Sequence, residues 1–238
     1  MPCLIELKNI TFGYPGAMPV LDELNFDFDT DATGLVGDNG SGKTTLLHLI
    51  MGLINPQSGE MLFRGKPLTT DADWLELRKT VGFVFQNPDD QLFMPTVIED
   101  VTFGPLNLGH SQATAKEMAL QTLETLGLGN FADRLTHKLS GGEKRLVAMA
   151  TVLSMQPEAL ILDEPTNDLD QDTRHRLIHI LRDLPQHLLI VSHDWDFLDH
   201  VVDRLAVLDE GKISYRDFSV LHVHKHAHLA GDADHHHE

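Results

Sequence analysis

The sequence predicts an α/β protein with a mostly parallel core sheet, an N-terminal antiparallel β subdomain and a helical subdomain. Three observations carry this prediction. Two short apolar runs, 159–163 (ALILD) and 188–193 (LLIVSH), end in polar residues, as buried parallel strands do. An amphipathic helical stretch, 173–184, lies between them, which is the alternation of a βαβ unit. Residues 4–30 instead alternate apolar and polar positions, the pattern of strands with one buried face.

Taken in order, residues 4–30 read as two or three short strands, with a turn at 15–19 (PGAMP). Residues 33–36 form a short strand that runs into a glycine-rich turn. From Lys43 the pattern turns helical, with Leu46, Leu47, Ile50 and Leu53 spaced for one buried face. A turn at 56–59 leads into a strand at 59–65, and 81–86 (VGFVFQ) reads as a buried strand. Residues 96–138 read as mainly helical, broken by glycines, and 143–154 as a further helix. Residues 204–215 read as a final hairpin turning at Glu210-Gly211.

Composition narrows the class of function. The 238 residues suffice for one large domain or two small ones with a proper core. The formal net charge is −18, and 15 histidines make much of it sensitive to pH or bound metal. This acidic excess argues against nucleic acid as a partner, since phosphate backbones need clustered Lys and Arg. The longest apolar stretch, 46–54, is about half a bilayer span, so no transmembrane helix is expected. The N-terminus lacks the basic start and apolar run of a signal peptide. Cys3 is the only cysteine, so no intramolecular disulfide forms, and a cytosolic home fits.

Residues Gly37, Asp38, Asn39, Gly40, Ser41, Gly42, Lys43 and Thr44 satisfy G-x-x-x-x-G-K-[ST] between a strand and a helix. Glycines let the backbone curl until several N–H groups face phosphate oxygens. The helix start adds its positive dipole end. Lys43 supplies a charge to the β/γ-phosphates, and the Thr44 hydroxyl is a candidate Mg²⁺ ligand.

The run 159–163 ends in Asp163, followed by Glu164. Alone, such a pair reads as an acidic surface turn. Beside a phosphate loop, Asp163 is placed to hold Mg²⁺ and Glu164 to polarise an attacking water. His193 ends a second apolar run. It is either a structural histidine or one that reaches the same crevice at the carboxyl ends of the strands. Ser140, Gly141 and Gly142 open another helix with a second anion-binding turn. One ATP site does not need two such turns; two chains facing head to tail do.

The segment 139–145 (LSGGEKR) resembles the signature of ATP-binding cassette (ABC) ATPases, a branch of the P-loop NTPases, and the order of motifs over 14–193 is similar to that family. The resemblance implies that Tyr14 stacks on adenine and that residues 37–44 and Thr45 hold nucleotide. It makes Gln86 the hinge glutamine that touches Mg²⁺ and senses a transmembrane partner. Ser140, Gly141 and Gly142 become the signature turn, Asp163 the Mg²⁺-site aspartate and Glu164 the catalytic glutamate. His193 becomes the switch histidine, and 167–170 (NDLD) the loop that crosses the dimer interface. Lys43, Gln86, Glu164 and His193 form the implied catalytic set, with Thr44, Gln86 and Asp163 around Mg²⁺.

The segment 85–93 (FQNPDDQLF) resembles the hinge of energy-coupling-factor ATPases, which drive vitamin and cobalt or nickel uptake. Two departures from the family stand out. Asn167-Asp168 replaces the commoner Ser-Ala, and the approach to the phosphate loop lacks the usual Gly-Glu. The implied organisation is an ABC ATPase domain over 1–220, its helical subdomain at about 87–155, and a tail at 221–238. The implied partners are a second ATPase, identical or different, a transmembrane coupling subunit and a substrate-binding membrane subunit. The chain would then sit peripherally on the cytoplasmic face of the cell membrane.

Seven histidines fall in the last 17 residues: His222, His224, His226, His228, His235, His236 and His237. Imidazoles suit Ni²⁺, Co²⁺, Cu²⁺ and Zn²⁺. The tail reads as a weakly selective transition-metal binder, as a solvated linker or as a tag. Together with the hinge segment it points to nickel or cobalt import. The alternatives are vitamin uptake with an incidental tail, or a soluble ABC ATPase without a membrane partner. The single cassette and the absence of a heptad run disfavour the latter.

Overall fold

The computed structural model describes residues 3–29 and 32–216. The chain opens with β1 (Ile5–Phe12), β2 (Leu21–Phe28) and β3 (Thr33–Val36), then α1 (Lys43–Ile50). Next come β4 (Ser58–Phe63), the two-residue β5 (Lys66–Pro67), α2 (Asp71–Thr80) and β6 (Val81–Val84). Three helices follow: α3 (Val97–Asn107), α4 (Gln112–Thr125) and α5 (Gly141–Leu153). The last part is β7 (Ala159–Asp163), α6 (Gln171–Asp183), β8 (His187–Val191), α7 (Trp195–Val201), β9 (Arg204–Asp209) and β10 (Lys212–Arg216).

The strands form two sheets. An antiparallel sheet has the order β2-β1-β4-β5. A second sheet, β10-β9-β3-β8-β7-β6, is parallel except for the β9–β10 hairpin at its edge. Alternation along the parallel strands divides the core in two. Leu35, Ile161, Leu189 and Val191 face α1 and the antiparallel sheet. Leu160, Leu162 and Ile190 face the other way, onto α5, α6 and α7. Burying each such side chain contributes about 1.5–3 kcal/mol, so both faces of the sheet are held.

The order of strands places the chemistry. β8 lies between β3 and β7, with Val191 level with both Leu35 and Asp163. The carboxyl ends of three adjacent strands therefore open on one crevice.

Several boundaries differ from expectation. α1 ends at Ile50, and Gly52 turns the chain at φ +63°, so Leu53 is exposed rather than part of the buried face. The 96–138 stretch holds two helices, and from Leu126 onward it is turns and short 3₁₀ segments. The strand expected at 81–86 stops at Val84, which leaves Gln86 in the following loop. The helix expected from 143 starts at Gly141. α2 and α7 have no counterpart in the sequence pattern. α2 buries only Leu77 and Thr80, too little for a periodic apolar signal, but Thr70 and Asp73 close a capping box at its start. No described helix is long and apolar enough to cross a membrane.

Candidate active site

The phosphate loop follows β3 and its helix begins abruptly. Gly42 caps α1 at φ +106°, a conformation open to glycine. A side chain there would also meet Val20 Cγ1 at 2.6 Å, and one at Gly37 would meet the Leu208 carbonyl at 2.4 Å. Lys43 is buried, and its Nζ donates to the carbonyls of Gly37 (2.7 Å) and Asp38 (3.0 Å). The ammonium thus sits inside the curl of its own loop. Ser41 N–H donates to the Asp38 carbonyl, while the buried Ser41 hydroxyl has no protein partner.

Asp163 and Glu164 come from the end of β7. Asp163 Oδ2 accepts from the Thr44 hydroxyl at 3.5 Å. Burial raises its pKa, against the opposing pull of Thr44, His48 and Lys43. Glu164 is also pushed up by burial, and the facing His193 counteracts this. His193 Nε2 lies 3.3 Å from Glu164 Oε1, and the His193 N–H donates to Oε2 at 3.4 Å. The carboxylates of Asp163 and Glu164 with the Thr44 hydroxyl form a hard oxygen set that fits Mg²⁺ beside a polyphosphate.

These groups line one cleft of about 330 Å³, together with Tyr14, Val20, Asn39, Gly40, Gly42, Thr45, Gln86 and Val191. Tyr14 is half exposed and its hydroxyl is 3.3 Å from Thr45 Oγ1. Phe12 braces its ring edge-on, with centroids 5.2 Å apart. Gly37, Asp38 and Ser41 lie behind the cleft, in the loop itself.

Ser140, Gly141 and Gly142 are not among the cleft's lining residues. They open α5, where Ser140 and Glu143 form a reciprocal capping box and Arg134 pairs with Glu143 at 2.8 Å. A side chain at Gly141 would meet nothing within 4 Å. The tail histidines lie outside the described residues. Among the described residues no group of three or more His, Cys, Asp or Glu is placed to hold a metal ion.

Two residues escaped the sequence reading. Gln91 accepts from the Phe85 N–H (3.1 Å) and donates to the Ala148 carbonyl (2.7 Å) and Thr151 Oγ1 (2.8 Å), which ties the Gln86 hinge to α5. Arg174 on α6 grips Asp194, the residue after His193, through two bonds of 2.6 and 2.9 Å, and Asp196 through a third. This fork holds the Asp194 carboxyl below its usual range. Both contacts reach 20 or more positions along the chain, so no local pattern announces them.

A family model for "ABC transporter" matches residues 21–167, more than half of the chain. A Nitratidesulfovibrio vulgaris protein assigned as an ABC transporter ATP-binding protein is 51% identical over 236 residues, covering 98% of this chain and 86% of that protein. The energy-coupling factor transporter ATP-binding protein EcfA of Methanocaldococcus jannaschii is 42% identical, over 88% of this chain and 77% of its own length. Among solved structures, cbiO1 from Clostridium perfringens, part of the ABC transporter complex cbiONQ, superposes with a TM-score of 0.86 at 30% identity, over 98% of this chain and 96% of that one. The cassette MJ0796, in a dimeric post-hydrolysis state with ADP and Pi, gives 0.80 at 26% identity, over 90% and 98%. With a phosphate loop, an acidic strand end and a histidine around one cleft, this chain belongs to the ABC transporter family and is an ATPase of the ATP-binding cassette fold.

Proposed function

We propose that this ATPase powers an energy-coupling-factor type importer, with nickel or cobalt ions as cargo. The grouping of Thr44, Gln86, Asp163, Glu164 and His193 around the phosphate loop carries the ATPase half of the reading. In it, Tyr14 takes the adenine, and Lys43 with residues 37–45 holds the phosphates. Thr44, Gln86 and Asp163 hold Mg²⁺, which when bound neutralises phosphate charge. Glu164 accepts the proton of the attacking water, and His193 steadies Glu164 through their 3.3 Å contact. Ser140, Gly141 and Gly142 serve the nucleotide of a second ATPase chain, identical or different.

The transport half rests on the hinge and the tail. Phe93 and Phe103 stack edge-on at 4.8 Å beside the hinge, with Phe93 62% exposed and Leu106 exposed nearby in sequence. An exposed aromatic pair at the end of the 85–93 segment suits a helix of a transmembrane coupling subunit, with this chain peripheral on the cytoplasmic face of the membrane. The EcfA and cbiO1 relatives support that assignment, and the seven tail histidines favour Ni²⁺ or Co²⁺ over a vitamin.

Two experiments test the halves separately. Glu164→Gln should bind ATP, lose turnover by about 100-fold or more and accumulate a nucleotide-bound dimer; near-normal turnover removes Glu164 as the base. Purification from native membranes should bring down two membrane proteins, and deletion of residues 222–238 should alter the dependence of uptake on Ni²⁺ or Co²⁺. Recovery of a vitamin-binding subunit instead would replace the metal cargo.

A further inference from the structure

Glu164 carries a backbone strain that the catalytic reading does not use. Its φ is +47°, in the left-handed region that side-chain-bearing residues rarely occupy. Such a conformation persists where the surroundings hold it. Here the Glu164 N–H donates to the Val191 carbonyl at 2.9 Å. Its carbonyl accepts from the Asn167 N–H at 3.3 Å and from Arg145 Nη1 at 2.8 Å.

Arg145 is itself unusual. It is 8% exposed, and a buried guanidinium is costly unless its surroundings answer its charge. Burial lowers its pKa, and the carboxylates of Asp168 and Glu164 oppose that shift. Asp168 belongs to the Asn167-Asp168 pair that departs from the family pattern, and it too is left-handed, at φ +59°. Arg145 lies on α5 just past the signature turn, where a side chain at Gly142 would reach Leu169 and Thr173. The start of α5, the interface loop and the backbone of Glu164 are thus packed together, with Arg145 bonded across them.

We propose that Arg145 is a positioning residue that holds Glu164 in its left-handed conformation and fixes it to the signature helix, with Asp168 as the neighbouring counter-charge. The inference rests on Glu164 being the base. Arg145 is not among the residues that line the cleft; it acts by aiming the Glu164 carboxylate. A base displaced by an ångström loses rate without losing substrate.

The test is a double-mutant cycle on the full chain, read by single-turnover hydrolysis, steady-state kinetics and nucleotide binding. Arg145→Ala should lower kcat by about 10- to 100-fold with KM and ATP affinity unchanged. In a Glu164→Gln background the same change should cost nothing further. Arg145→Lys, which keeps a charge and a donor, should recover part of the rate, and its own cycle carries the test if the alanine variant does not fold. Wild-type turnover in Arg145→Ala, or an equal loss in both backgrounds, overturns the inference while leaving Glu164 as base. Near-normal turnover in Glu164→Gln alone overturns the base and the inference with it.

Discussion

Two glycine-bearing turns in this chain start helices, and they are built in opposite ways. The phosphate loop is packed from behind: side chains at Gly37 or Gly42 would strike Leu208 and Val20, and Gly42 is left-handed. Its open side faces a cleft furnished with Lys43, Asp163, Glu164 and His193. The signature turn has no such surroundings. Gly141 faces open space, and the polar groups near it are spent on its own capping box. One turn is complete within its chain, and the other offers N–H groups outward. The difference favours a second chain at the signature turn, since an anion-binding turn whose Glu143 is taken up by its own cap and whose Lys144 pairs with Asp89 does no chemistry alone.

The largest effect should come from charging the outward turn. Gly141→Asp places a carboxylate where phosphate is expected, at a helix position where acidic residues are otherwise stabilising. The variant should fold, keep its Tm and bind ATP as a monomer, yet lose hydrolysis by about 100-fold or more. ATP turnover near the wild-type rate would mean that the turn never meets nucleotide. The contrasting change, Gly42→Ala, should act on folding instead. Left-handed strain alone costs about 1–3 kcal/mol, and the close Val20 contact adds to it. A lowered urea midpoint and weakened ATP binding are expected together. An unchanged midpoint would show that the loop can relax, and would erase the contrast between the turns.

Much of this was legible in the sequence, for identifiable reasons. The phosphate loop is a local string whose chemistry demands fixed neighbours, so its spacing reveals it; Asp163-Glu164 gains meaning only beside that loop, and 139–145 as a signature only through its family resemblance. β7 and β8 announce themselves through apolar runs that end in polar residues, and β3 through the glycine-rich turn it runs into. What stayed hidden depends on distant partners. Nothing near Gln91 tells that it will bridge the Phe85 N–H to α5, and nothing near Arg174 tells that it will clasp Asp194. The end of α1 is hidden because Leu53 fits the helical spacing, while Gly52 at φ +63° breaks it one residue earlier. The left-handed backbone of Glu164 has no sequence mark at all, since glutamate rarely adopts it.

The two turns also differ in how their glutamates respond to pH, and this is the finest test of the contrast. Glu143, beside the signature turn, is held below the usual carboxylate range, first by the Ser140 N–H at 2.8 Å and, against partial burial, also by Arg134. A group whose folded pKa is lowered adds stability above its unfolded value, near 4.5, and loses it as pH falls through the folded value. Glu164, in the cleft, is raised by burial. Its stabilising contribution is present below the unfolded pKa and is lost as pH rises through the folded one. Urea unfolding from about pH 7 down to about pH 3 should therefore separate the neutral variants. Glu143→Gln should be less stable than wild type near neutrality, by about 1 kcal/mol on the scale of a helix cap, with the deficit closing in acid. Glu164→Gln should be more stable near neutrality, and its advantage should close as acid protonates the wild-type glutamate. Parallel rather than opposed curves would show that the cleft does not desolvate Glu164, and a glutamate left in water would have no raised pKa with which to take a proton from the attacking water.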